Sequence, residues 1–154
     1  MSQEIQDFKI RYGKPSDFEA ILSKVTTVIG HLYPEDQVDK DKIRVLFDKS
    51  MENTEFSLIV LVDKEDKLRG YIFACLAPLY FHSKIVATCM SVWVDNDCRG
   101  HSLDMLRAFE SWGRYRGADT LSISEFENLT PHGTSKVLSY FGYNLKEKTY
   151  WKEL

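Results

Sequence analysis

The stretch "VDNDCRGHSLDML", residues 94–106, leaves a run of strand-forming residues, crosses a polar turn and enters a helix through Arg99 and Gly100. Chains that bind anions are often built this way. The first N–H groups of a helix lack intrahelical acceptors and carry the positive end of its dipole. A phosphate or pyrophosphate can settle there if no side chain blocks its approach. Gly100 supplies clearance and Arg99 a cation able to bond in bidentate fashion. Ser102 reduces clearance but offers a hydroxyl donor. Asp104 brings a negative charge, and on a helical wheel it points away from the apolar stripe. The same residues also read as an ordinary helix start, whose first-turn carboxylate stabilises the dipole. Other chemistry is sparse. His31, His82, His101 and His132, with Cys75, Cys89 and Cys98, show no metal-ligand spacing, so no metal is expected. Cys89 has no histidine near it in sequence and reads as a small buried residue.

The elements that position this turn follow from periodicity. "DFKIRY" (residues 7–12) alternates as a half-buried strand does. Ser16 and Glu19 form an S-x-x-E capping box ahead of a helix carrying Phe18, Ile21, Leu22, Val25, Val28 and Ile29, which Pro34 ends. A second helix spans Lys40–Glu52, with Ile43, Leu46 and Phe47 on one face. "EFSLIVLVD" is too continuously apolar to be one-sided and reads as a strand buried on both faces. "KEDK" turns it into "LRGYIFACLAPLYF", and "SKIVATCMSVWVD" is the next strand. The helix after the turn runs to about residue 116, with Met105, Leu106, Phe109, Trp112 and Gly113 in one stripe. A strand at 120–124, a loop, a helix near 132–141 and a last strand, "KEKTYWKEL", complete the order β-α-α-β-β-β-α-β-α-β. The strand-helix-strand unit at 84–124 implies a parallel pair with a right-handed crossover.

The chain has 154 residues, a length expected of one domain, and can bury roughly 70% of its unfolded surface. With 44% hydrophobic and 28% charged residues its composition is that of a soluble globular protein. A net charge of −3 argues against a general nucleic-acid binder. "MSQEIQDF" lacks the basic and apolar regions of a secretory signal, and no apolar run reaches membrane-spanning length, so no membrane partner is expected. An odd number of cysteines without a CxxC pair fits a reduced, cytoplasmic compartment.

"VDNDCRG" resembles the V-D-P-E-Y-R-G turn of the GNAT superfamily of acyl-CoA-dependent N-acetyltransferases. "KIRYGKPSDFEAIL" is similar to that family's opening strand and helix, and "VLSYFGYNLKEKTYWKEL" to its closing helix, G-F turn and last strand. The order of these motifs across nearly the whole chain is the stronger signal. The resemblance implies an α/β fold, a GNAT-like mixed, mostly antiparallel sheet with helices on both faces, forming a single acetyltransferase domain over residues 1–154. It also implies acetyl-CoA as acyl donor. The family's core motif, R/Q-x-x-G-x-G/A, falls on Arg99, Gly100, His101, Ser102, Leu103 and Asp104. Pantetheine is expected to lie like an extra strand against the main chain of Val92, Trp93 and Val94, where a bulge splays the strand. Trp93 also reads as a core aromatic.

Amine acetylation needs a base for the ammonium and an acid for the departing thiolate. The resemblance implies a carboxylate on the strand before the cradle, where this chain offers Thr88, Cys89, Met90 and Ser91. It implies a tyrosine in the last helix at a position filled here by Leu138, with Tyr140 roughly 200° around the helix from it. The family's frequent asparagine after the fifth strand falls near Pro131. Glu125, His132 and Tyr140 are therefore the expected substitutes, with Glu127 beside them. Histidine as a residue type suits proton transfer near neutral pH, but His132 also reads as a helix-start residue, and the glutamates as solvated loop charges.

Two functions of different class follow. One is transfer of an acetyl group from acetyl-CoA to a primary amine by direct attack through a tetrahedral intermediate. The acidic segments "PEDQVDKD" and "SEFEN" would steer a cationic acceptor, a small molecule or a peptide. The other is a GNAT-fold protein with weakened catalysis that acts as a binding or assembly component. "HGTSKVL" is similar to the ending of short, divergent GNAT-like proteins of tailed phages. A homodimer is compatible with either.

Overall fold

The computed structural model of the chain describes residues 7–34, 37–124 and 133–154. Met1–Ser124 form one compact unit and Glu125–Leu154 a second. The first unit holds a five-stranded sheet ordered β1 (Phe8–Tyr12), β2 (Phe56–Asp63), β3 (Leu68–Pro78), β4 (Ile85–Val94) and β5 (Thr120–Ile123). Neighbours are antiparallel except β4 and β5, which run parallel across the crossover helix α3 (Ser102–Tyr115). The fold class, the order of elements up to β5 and the parallel pair thus agree with the sequence expectation.

Alternation along β2 divides the core. Leu58, Val60 and Val62 pack with Ile21, Val25 and Val28 of α1 (Phe18–Leu32) and Phe47 of α2 (Lys40–Glu52). Ile59 and Leu61 point to the opposite face, and Met105, Phe109 and Trp112 of α3 are buried. β2 is buried from Ser57 through Val62, as a strand covered on both faces must be.

Gly113 lets α3 approach the sheet closely. A Cβ there would lie 2.8 Å from Leu121 Cδ2 and 3.0 Å from Ala87 Cβ, and the strand-borne Ala87 has no rotamer to yield. Gly113→Ala is expected to cost about 1–2 kcal/mol through overpacking, despite alanine's better helix propensity. Urea unfolding measures it, and a variant as stable as the parent would contradict this packing.

The start of α1 differs from the sequence expectation. Pro15–Asp17 form a 3₁₀ turn, and Asp17, rather than Ser16, stands at the N-cap without a side-chain cap bond. The Asp17 carboxylate instead accepts the Lys14 N–H at 2.8 Å and the Arg11 guanidinium at 2.8 and 3.0 Å. Burial alone would raise the Asp17 pKa, but these bonds outweigh it and hold the carboxyl below its ordinary 3.8. A partner supplied by β1 thus overrides the local capping motif.

In the second unit, α4 (Gly133–Tyr140) ends in a turn whose Gly142 has φ +87°. There the Tyr143 N–H reaches the Leu138 carbonyl at 2.9 Å, the long bond of a Schellman-type cap. The expected last strand, "KEKTYWKEL", is not formed: residues 143–154 carry no secondary structure. Alternation gives that segment a strand's pattern, but a strand exists only where a neighbour takes its backbone bonds, and among the described residues no strand pairs with it.

Candidate functional site

β4 changes character halfway along. Cys89 faces Ala74 and Ser91 faces Phe73, so Met90 is an extra residue, a bulge that bends the strand. β5 pairs with β4 only from Val86 to Cys89. Beyond the bulge, residues 90–94 keep β3 on one side and have no strand on the other among the described residues. Val92, Trp93 and Val94 therefore border an opening in the sheet, and Met90 and Val92 are 36% and 40% exposed.

The chain passes from this opening into a 3₁₀ turn, Asn96–His101, and then α3. The polar turn expected there takes 3₁₀ form, and the helix starts at Ser102 rather than at Arg99. Within the turn the Cys98 N–H donates to the Asp95 carbonyl at 2.9 Å, and the Ser102 N–H to the Arg99 carbonyl. Cys98 is buried and pins the turn to the body of the unit. Gly100 is exposed, and a Cβ there would meet nothing within 4 Å, so the approach to its backbone is clear. His101 packs on Phe8, with ring centroids 4.5 Å apart.

The charges around the turn are arranged in pairs. Asp95 accepts Lys24 Nζ at 2.7 Å, Arg69 Nε at 3.0 Å and Trp93 Nε1 at 3.3 Å. Arg69 also bonds both oxygens of Asp97 at 2.6 Å. Burial would raise the Asp95 pKa, but Lys24 and Arg69 hold it below 3.8, and Arg69 does the same for Asp97. Arg99 donates to the Val94 carbonyl and Asn96 Oδ1, each at 3.0 Å, and lies 5.3 Å from the Trp93 ring. The arginine expected to face an anion thus braces the junction of β4 and the turn.

Asp104 lies 3.4 Å from Arg107 and 3.8 Å from His101, with its side chain 51% exposed. A carboxylate so exposed and paired should repel little. Asp104→Gly is expected to leave affinity for an anionic ligand within about twofold. A tenfold tightening, measured by calorimetry, would place the carboxylate against the ligand instead.

The remaining expected residues divide by unit. Leu103 follows Ser102 in the first turn of α3, and both are half-buried. Tyr140 sits in α4, 86% exposed, its ring edge-on to Phe141. Glu125, Glu127 and His132 lie outside the described residues, and no metal-binding group occurs among the described ones. Burial pushes the Cys89 thiol up to about 12, partly offset by a bond from the Ser91 backbone, so it is a packing residue at neutral pH. No described helix is long and apolar enough to cross a membrane.

Sequence reasoning missed two features. The Lys24–Asp95–Arg69 network joins α1, β3 and the turn, across separations no local pattern reveals. Behind the bulge, the Ser91 hydroxyl lies 2.9 Å from the phenol of Tyr71, a residue buried in the core.

No protein-family model matches the chain, and no curated protein is detectably similar in sequence. Solved structures do match. A putative acetyl transferase from Pyrococcus furiosus superposes with a TM-score of 0.72 at 17% identity, covering 96% of this chain and 100% of that one. A transcriptional regulator from Bacillus halodurans C-125 gives 0.76 at 14% identity, over 96% and 99%. AAC(6')-Iy, solved with the bisubstrate analogue CoA-S-monomethyl-acetylneamine, gives 0.71 at 16% identity, over 96% and 97%. The chain has the fold of the GNAT acetyltransferases.

Proposed function

We propose that this chain is an N-acetyltransferase that moves an acetyl group from acetyl-CoA to a primary amine by direct attack. The observation that carries the reading is the opening of β4: a bulge at Met90, the end of β5 pairing at Cys89, and a strand running from there into an α-helix through a turn with a clear glycine. An open strand edge can take an extended amide-bearing chain as an added strand. The main chain of Val92, Trp93 and Val94 would hold the pantetheine arm. The backbone of Arg99, Gly100, His101, Ser102, Leu103 and Asp104 would receive the pyrophosphate at the positive end of α3.

These residues fit such a cofactor. Gly100 leaves space for it, and each carboxylate around the turn already has a cationic partner. When bound, the thioester supplies an activated acetyl carbon with sulfur as leaving group. The chain's part is to align an acceptor amine with that carbon and to hold the proton it loses; bringing the partners together accounts for much of such a rate. Glu125, His132 and Tyr140 are the proposed proton carriers, and general acid–base help of this kind contributes roughly 10²–10⁴-fold.

The acceptor class is a small-molecule or peptide amine, cationic because of the acidic segments, and aminoglycoside-like amines are one instance suggested by the AAC(6')-Iy complex. The single-domain, cytoplasmic and homodimeric expectations belong to the same reading. Thiol release from acetyl-CoA, measured against polyamines, aminoglycosides and lysine peptides, tests it. Slow turnover with at least one amine is expected. Cofactor binding without turnover on any acceptor would favour a binding component.

A further inference from the structure

We propose that Ser91 is a catalytic residue of this acetyl transfer, its hydroxyl giving a hydrogen bond to the departing sulfur, and that Tyr71 is the residue that positions it. The inference rests on the acetyltransferase reading and adds a named donor to it.

Ser91 is the first residue beyond the bulge, on the part of β4 that β5 leaves uncovered, and it is half-buried. It is a polar residue on a strand whose expected carboxylate is absent. Its Oγ lies 2.9 Å from the phenol oxygen of Tyr71, which is 0% exposed and packed edge-on against Phe73 with centroids 5.8 Å apart. A phenol buried so completely needs a partner, and leaving it without one is costly. The bond therefore fixes both side chains.

Either oxygen of the pair can donate to the other, and one of the two orientations serves catalysis. Tyr71 is pushed up to about 12, so its proton stays in place at neutral pH. A phenol that donates to Ser91 Oγ leaves the serine's own hydrogen for a third group.

The step balances without either residue losing a proton. The acceptor nitrogen bonds to the acetyl carbon, the carbon–sulfur bond breaks, and its electron pair passes to sulfur. The acceptor ammonium would first give one proton to a carrier proposed above; Ser91 would then stabilise the charge on sulfur by a hydrogen bond while the second proton, shed by nitrogen on acylation, reaches sulfur through water.

Ser91→Ala is expected to lower kcat about 100-fold with little change in KM for acetyl-CoA, the signature of a contact made as charge develops. Tyr71→Phe, which keeps the ring, should lower kcat about tenfold, and the double variant should be no slower than Ser91→Ala. Ser91→Thr, which keeps a hydroxyl, should recover most of the rate. Calorimetry supplies a readout independent of turnover. The parent should bind coenzyme A several-fold more tightly than desulfo-coenzyme A, and Ser91→Ala should erase that difference.

Binding of both compounds with no dependence on Ser91, or a kcat within twofold of the parent in a folded Ser91→Ala variant, would overturn the role of Ser91 alone. If the parent binds neither compound, the acetyl-CoA reading fails and this role fails with it.

Discussion

Replacing Gly100 with glutamate is expected to weaken acetyl-CoA binding about 10–100-fold while leaving the thermal midpoint unchanged. The two effects separate because of where Gly100 sits. It is exposed, its φ is ordinary, and a Cβ there meets nothing within 4 Å, so the folded protein accepts a side chain. The added carboxylate would stand at the helix start, where a pyrophosphate would carry like charge. Two unit charges about 4 Å apart near a protein surface repel by roughly 4 kcal/mol at an effective dielectric of 20. Salt screening and side-chain mobility reduce this to about 1.4–2.8 kcal/mol, which is the stated range of affinity. Gly100→Ala adds bulk without charge and should lose much less. Unchanged affinity in a folded Gly100→Glu variant would remove the turn from the binding site.

Asp95→Ala is expected to cost about 3 kcal/mol of stability and to weaken cofactor binding as well. Asp95 is the residue at which α1, β3 and the β4 turn meet, through Lys24 at 2.7 Å, Arg69 at 3.0 Å and Trp93 at 3.3 Å. Its side chain is 19% exposed, so these charge-assisted bonds are only partly screened. One such bond contributes about 1.5–3 kcal/mol, and several on one carboxylate are not additive. Removing it leaves Lys24 without its carboxylate partner and Arg69 with Asp97 and a more distant Asp63. Asp95→Asn keeps the shape and should recover part of the loss. Chemical denaturation reads the stability, and a cost below about 1 kcal/mol would show that the network is incidental.

The parts of this fold that could be read from sequence are those set by local pattern. The α2 boundaries follow from an apolar face, with Asp39 capping the helix through the N–H groups of Asp41 and Lys42. The α3 stripe of Met105, Leu106, Phe109, Trp112 and Gly113 is buried as its spacing requires. The continuous apolar run of β2 correctly signals burial on both faces. What sequence did not reveal depends on partners far along the chain. Ser16 looks like a cap until Arg11 of β1 takes hold of Asp17. Arg99 looks free for an anion until the Val94 carbonyl claims it. The bulge was expected from family resemblance, but its placement at Met90 is a matter of register between β3 and β4, invisible in either strand alone. The Tyr71–Ser91 pair spans neighbouring strands in the same way.

Acetyl-CoA is expected to bind along the open half of β4 and at the start of α3. The most direct test is a backbone amide chemical-shift map of an acetyl-CoA titration. Saturable shifts should concentrate at residues 90–94 and 99–104, with the far strands β1 and β2 little changed. Saturable shifts centred elsewhere, or none at millimolar cofactor, would contradict it.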